Sequence, residues 1–123
     1  KIGLLGVAYG PGIGDTRFSP VEDFYNRLIT DNYEISCHDP YIDFWPEIGI
    51  EIESSLKEFL DDKFEVLIIT TAHDDYISQN SLYDLICYKY SPPLIIDTVG
   101  LLDIEKLPSC YELNRNFYVL GVG

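Results

Sequence analysis

The stretch Phe64 to Thr71, FEVLIITT, is β-branched and almost wholly apolar, without the alternation of a strand that has one wet face. A run this short and this apolar belongs to a strand covered on both sides, as central strands of parallel sheets are. Helices must then lie above and below it. Working outward, Lys1 to Val7 (KIGLLGV), Tyr33 to His38 (YEISCH), Pro93 to Thr98 (PLIIDT) and Phe117 to Val122 (FYVLGV) read as further strands. Helical patterns fall between them. Ser19 is placed to cap a helix with Pro20 at its first position and Glu22 completing a capping box, and Val21, Phe24, Tyr25, Leu28 and Ile29 then share one face. Ser55 with Glu58 repeats the capping signal ahead of Leu56, Phe59 and Leu60, and Ser78 or Ser81 opens a third helix carrying Leu82, Leu85 and Ile86. Tyr41 to Glu53 shows no period and reads as an irregular surface connection. Strands alternating with helices predict an α/β fold, a Rossmann-like three-layer sandwich with a parallel sheet of about five strands. Residues 1–123 form one domain.

Composition narrows the function. Hydrophobic residues make up 46% and charged residues 24%, the balance of a chain that folds. No apolar run is long enough to span a bilayer and no signal-peptide pattern opens the chain, so a cytoplasmic protein is expected. The net charge of −13, with eight Lys plus Arg, argues against nucleic acid and anionic membrane surfaces as partners. An anionic ligand would have to be held by backbone N–H groups and a few placed cations. Cys37, Cys87 and Cys110 are odd in number and widely spaced, with only His38 and His73 to complete a metal site, so idle thiols and no metal are expected. With no initiating Met and a first residue already in a core strand, the chain reads as a fragment of a longer protein.

The loop after the first strand carries Gly6, Gly10, Gly12 and Gly14. A dinucleotide fingerprint places GxGxxG directly between strand and helix. Here the glycines alternate and the helix begins only near Pro20, so the spacing argues against that site. Asp39, at the end of the second strand, stands where a ribose-binding acid would, although an Asp before Pro is equally a turn former. Asp15 to Pro20 supplies a capped helix start, with Asp15 and Arg17 able to brace the loop. Arg17 also sits at the ligand edge of a parallel sheet. His73-Asp74-Asp75 reads as a polar loop, because three adjacent residues at a strand end seldom converge on one ion. The tyrosines, Tyr33, Tyr41, Tyr76, Tyr83, Tyr88, Tyr90, Tyr111 and Tyr118 among them, are scattered and read as half-buried packing residues.

The run Gly6 to Pro20, GVAYGPGIGDTRFSP, resembles the pattern G-x-A-[YF]-K-x-x-x-x-D-x-R-x-S-P that opens the C-terminal domain of UDP-glucose/GDP-mannose dehydrogenases. HDPY at His38 to Tyr41, TTAHDDY at Thr70 to Tyr76 and IIDT at Ile95 to Thr98 follow in the family's order, so the resemblance covers essentially the whole chain. It implies the nucleotide-sugar-binding domain of an NAD-dependent enzyme that oxidises a sugar C6 alcohol to a carboxylate for polysaccharide biosynthesis. The NAD-binding Rossmann domain and the catalytic Cys and Lys would lie outside these residues, leaving none of the catalytic groups here. It also implies that Tyr9, Gly10, Asp15 and Val99 occupy substrate-side positions, that Arg17 reaches the cofactor held by the missing domain, and that the full-length protein is a homodimer. Two positions depart from the pattern. Gly10 replaces the expected cation, and Val99, followed by Gly100, replaces an expected Arg. Charge-assisted hydrogen bonds contribute roughly 1.5–3 kcal/mol each, so losing two weakens a ligand by about 10²- to 10⁴-fold. A divergent, non-catalytic nucleotide-binding or regulatory module of the same fold is therefore the alternative. A small NAD-binding domain in its own right is a third reading, and it rests on the glycine loop.

Overall fold

A computed structural model of the chain describes residues 1–78, 81–86 and 92–120. In chain order its elements are β1 (Ile2–Leu5), α1 (Val21–Thr30), β2 (Ile35–His38), β3 (Phe44–Trp45), β4 (Ile50–Glu51), α2 (Leu56–Asp61), β5 (Val66–Ile69), a 3₁₀ turn (Asp74–Tyr76), α3 (Leu82–Leu85), β6 (Leu94–Asp97), a second 3₁₀ turn (Ile104–Lys106) and β7 (Phe117–Val119). Five strands form one parallel sheet in the order β2-β1-β5-β6-β7, with Leu5 in register with His38 on one side and Ile69 on the other. The expected α/β sandwich is present. The chain runs from β1 to β2 in one direction and crosses back to β5 on the far side of β1, so the loops leaving β1 and β5 diverge. The crevice between them, at the carboxyl ends of the strands, is where open α/β sheets bind ligands.

The apolar run of β5 divides as a strand buried on both faces must. Leu67 and Ile69 pack with Leu5, Phe59, Leu60, Leu82 and Ile86 beneath α2 and α3, while Ile68 packs with Ile2, Leu4, Val21, Tyr25 and Trp45 beneath α1. Burying one such side chain contributes roughly 1.5–3 kcal/mol.

Local chemistry moves several boundaries. At the end of α1 the Tyr33 amide donates to the Leu28 carbonyl and the Asn32 amide to that of Ile29, with Asn32 at φ +65°. This is a Schellman cap with asparagine in the left-handed position, and it holds Tyr33 in the helix end, so β2 starts at Ile35. At the other end the expected capping box with Glu22 does not form. Pro20 occupies the cap position, and the Ser19 hydroxyl, 5% exposed, accepts from the Val21 amide at 3.2 Å. Ser55 does cap α2, its hydroxyl accepting from the Glu58 amide at 3.3 Å, and Ser81 rather than Ser78 precedes α3.

The expectation of an irregular connection over Tyr41 to Glu53 needs correction. Phe44–Trp45 and Ile50–Glu51 form a small antiparallel hairpin that drives Trp45 fully into the core, edge-on to Tyr25 at 5.4 Å. Glu53 then lies along the outer edge of β2, its amide donating to the Cys37 carbonyl and its own carbonyl accepting from the Asp39 amide. The tyrosines also divide more sharply than expected, with Tyr76 and Tyr111 buried while Tyr33 and Tyr41 stay exposed. Cys87, Tyr88, Tyr90 and the end of the strand expected to reach Val122 lie outside the described residues.

Candidate functional site

The loop leaving β1 is built around a buried carboxylate. Asp39 is 0% exposed, and its Oδ2 accepts from the amides of Val7 at 2.9 Å and Ala8 at 3.0 Å, while Oδ1 accepts from the Tyr41 amide at 2.9 Å. Two successive amides aimed at one oxygen make a small anion nest of the kind that phosphates occupy elsewhere. Here the chain fills that nest with its own side chain. Asp39 is therefore not the ribose-binding acid its position offered, because both of its oxygens are engaged internally.

His73, from the loop leaving β5, completes the arrangement. It too is 0% exposed; its Nε2 lies 3.0 Å from Asp39 Oδ2, and its Nδ1 lies 2.9 Å from the Gly12 amide nitrogen. An amide only donates, so Nδ1 is the acceptor, and Nε2 carries the proton donated to Asp39. Burial alone raises the Asp39 carboxyl, but hydrogen bonds from His73, Tyr41 and Val7 outweigh it and hold the group below the usual carboxylate range. The neighbouring His38 is closed off as well. Its ring nitrogens meet Tyr76 Oη at 3.0 Å and the Ser54 carbonyl at 3.2 Å, and burial pushes its pKa down to about 4.

The rest of the loop faces outward. Gly6, at φ +104°, must be glycine, since a Cβ there would lie 2.4 Å from Thr71 Cβ. The Tyr9 amide donates to the Asp15 carbonyl at 2.7 Å, and the Tyr9 side chain is 59% exposed. The amides of Gly10 and Gly14 make no hydrogen bond within the described residues, so the loop keeps two backbone donors without a partner. Arg17 is pinned to Asp15, donating from Nε at 3.1 Å and Nη2 at 2.7 Å, and these bonds pull the Asp15 pKa down to about 2. The pair is exposed, and its bracing role is the one the sequence allowed. Nη1 of Arg17 is not used by Asp15, and the Glu47 carboxylate adds to the negative field on the same guanidinium. Phe18, 90% exposed, stands beside it at φ +59°, the third residue of a turn closed by the Ser19 amide on the Thr16 carbonyl at 3.1 Å.

Of the expected site residues, Tyr9, Gly10, Asp15 and Arg17 share this loop. Val99 stands on the same sheet edge after β6, 40% exposed, its amide bound to Asp97 Oδ1 at 3.1 Å. The His73-Asp74-Asp75 run diverges, His73 turning inward and Asp75 accepting from Tyr41 Oη at 2.8 Å. Among the described residues no group of three or more His, Cys, Asp or Glu side chains is placed to hold a metal ion, and no helix is long and apolar enough to cross a membrane. The Asp39–His73 pair is what the sequence reading missed. Its signal was two short polar islands, HDPY and AHDDY, each following an apolar strand on one edge of the sheet.

Residues 3–104, which include this loop and both polar islands, match the model of the UDP-glucose/GDP-mannose dehydrogenase family, UDP-binding domain. The whole chain is 31% identical over 126 aligned residues to a UDP-N-acetyl-D-mannosamine dehydrogenase of Methanocaldococcus jannaschii, covering 27% of that protein. Among solved structures, 98% of the chain superposes on the UDP-D-ManNAc dehydrogenase of Pyrococcus horikoshii, with a TM-score of 0.71 and 25% identity, covering 25% of it. The GDP-mannose dehydrogenase of Pseudomonas aeruginosa shares the fold, with a TM-score of 0.66 over 97% of this chain and 27% of that one, at 21% identity. The chain thus spans about a quarter of the length of the relatives it matches.

Proposed function

The chain belongs to the UDP-glucose/GDP-mannose dehydrogenase family, in its UDP-binding domain, and from that premise we propose that it supplies the nucleotide-sugar side of an NAD-dependent nucleotide-sugar 6-dehydrogenase. One observation carries the reading: at the switch point of the sheet, a loop inside the matched region presents the free amides of Gly10 and Gly14 beside exposed Tyr9. Backbone donors suit a pyrophosphate, and an exposed aromatic suits a sugar or base face. In the complete protein the reaction is oxidation of a sugar C6 alcohol to a carboxylate, four electrons passing to two NAD, in a cytoplasmic homodimer whose catalytic groups lie outside these residues. NAD supplies the hydride acceptor when bound. Arg17 is the residue of this chain that fits it: its side chain is exposed and Nη1 is not used by Asp15, so it would hold an anionic part of a cofactor seated on another domain.

Electrostatics sets the expected affinity. Residues 6–20, 39–43, 70–78 and 98–103, the loops at this edge, contain one Lys or Arg, Arg17, against Asp15, Asp39, Asp43, Asp74, Asp75 and Asp103. Arg17 is already shared with Asp15. Binding of UDP by the 123-residue chain is therefore expected to be weak and salt-sensitive. Cations can be restored without strain, because a Cβ at Gly10 would meet only Ile13 Cδ1, at 3.5 Å, and Val99 is exposed. Calorimetric titration with UDP should give the Gly10→Lys/Val99→Arg variant at least about 10-fold higher affinity. Tight wild-type binding that the double substitution leaves unimproved would remove the electrostatic argument. The purified chain should reduce no NAD with a panel of UDP- and GDP-sugars, and turnover would refute the division of labour. The same missing cations favour the second reading, a divergent non-catalytic nucleotide-binding or regulatory module, and absence of UDP binding by both proteins would favour its regulatory form, which keeps the fold without the site.

A further inference from the structure

The free amides of Gly10 and Gly14 are useful only if the loop holds them still, and little does. Gly12, between them, has φ +68° with nothing within 4 Å of where its Cβ would be, so that side of the loop tip is unpacked. Within the tip, the Ile13 amide reaches the Gly10 carbonyl only at 3.4 Å, and the Tyr41 carbonyl backs Gly14. The tie from the tip across the crevice to the β5 side is the Gly12 amide on His73 Nδ1 at 2.9 Å. His73 is itself fixed from every side: Asp39 takes its other nitrogen, and the Tyr41 and Tyr76 rings lie with centroids 4.9 and 5.9 Å away.

We infer that His73 is the positioning residue of the nucleotide loop, and that Asp39 sets its tautomer. The Asp39 carboxylate only accepts, so the proton must stay on Nε2, which leaves Nδ1 as an acceptor facing Gly12. One carboxylate thus fixes the base of the loop through Val7 and Ala8, and its tip through the imidazole. The geometry of the Gly10 and Gly14 donors follows from that chain of bonds. Their use in holding a pyrophosphate rests on the function proposed above, but the tautomer and the pinning of Gly12 do not.

The two parts can be tested separately. Long-range ¹H–¹⁵N spectra of the wild-type chain should show His73 at neutral pH protonated on Nε2 and bare on Nδ1; a proton on Nδ1 overturns the inference without any substitution. In His73→Asn the side-chain oxygen takes the place of Nδ1, and in His73→Gln the side-chain amide takes the place of Nε2. Exchange of the Gly12 amide should quicken about 5-fold or more in His73→Gln and stay slow in His73→Asn, a factor corresponding to one neutral hydrogen bond of about 1 kcal/mol. UDP affinity should fall about 5-fold in His73→Gln and recover in His73→Asn, although both variants lose similar thermal stability. Equal exchange in the two variants, or equal UDP affinity with wild type, would refute positioning. Failure of wild type to bind UDP would instead count against the proposed function, with the exchange data still deciding the role of His73.

Discussion

Asp39 and Asp97 occupy equivalent places, one at the exit of β2 and the other in the last position of β6, both fully buried and both turned toward the loops beyond the sheet. Asp97 receives the Val99 amide at 3.1 Å and the Leu102 amide at 2.8 Å, two donors from the loop that follows it in sequence. Asp39 receives one amide from its own loop, two from the exit of β1 and the imidazole of His73 from the exit of β5. A local carboxylate shapes one turn. A carboxylate that gathers donors from three strand exits makes their geometry a single object, so the sheet edge near β1 is organised as one unit and the edge near β6 is not.

Removing each carboxylate is the strongest test of that contrast. Asp39→Ala leaves three amides and an imidazole N–H unmet in the interior and should cost about 4 kcal/mol, whereas Asp97→Ala strands two amides and should cost about 2 kcal/mol. Urea unfolding gives both values, and equal losses would break the comparison.

Acid should sharpen it, since the β2 end also carries His38. Its folded pKa of about 4 lies below the ordinary 6.5, so the unfolded chain takes up the proton first. Stability is then complete above about pH 6.5 and falls as the pH drops toward about 4, by about 3 kcal/mol in all. The lowered Asp39 carboxyl acts in the same direction below that window. Unfolding free energies across this range should slope steeply in wild type and shallowly in His38→Gln, and parallel slopes would show that His38 is not the titrating group.

How much of this was legible in the sequence follows from range. The five strands, the Ser55 cap and the glycine loop are written in short windows, where period and turn chemistry act locally. The Asp39–His73 bond joins residues 34 positions apart, and only the crossing from β2 to β5 brings them together. The β3–β4 hairpin was hidden because each strand is two residues long, too short for alternation to register, so Trp45 gave no sign of which way it faced. The Ser19 signal misled for a different reason. Its hydroxyl lies 3.5 Å from the Ala8 carbonyl as well as near the Val21 amide, and the tertiary contact competes with the box.

Smaller effects come from the outer loop. Phe18 holds a left-handed backbone while packing against almost nothing, so Phe18→Gly should raise the stability of the chain by about 1 kcal/mol. A lower melting temperature would mean that the ring makes a stabilising contact. Arg17→Ala removes an exposed, solvent-screened pair and should leave the melting temperature nearly unchanged. If Arg17 acts on the cofactor as proposed, the same substitution in the full-length protein should raise the NAD or substrate requirement, and a large stability loss with normal kinetics would leave Arg17 as a brace alone.

The central place of β1 also bears on how the chain is made. β1 leaves the ribosome before either of its partners, β2 and β5, and the second of these begins only at Val66. Closing so long a segment costs little more at equilibrium than closing a short one, because loop entropy grows only logarithmically with length. In time it matters more, since folding rates fall as pairings become less local. During synthesis the hydrophobic KIGLLGV segment must wait, half-paired at best, until more than half the domain has emerged. A pause in translation before Val66–Ile69 has emerged would lengthen that exposure, and a pause after it has emerged would not.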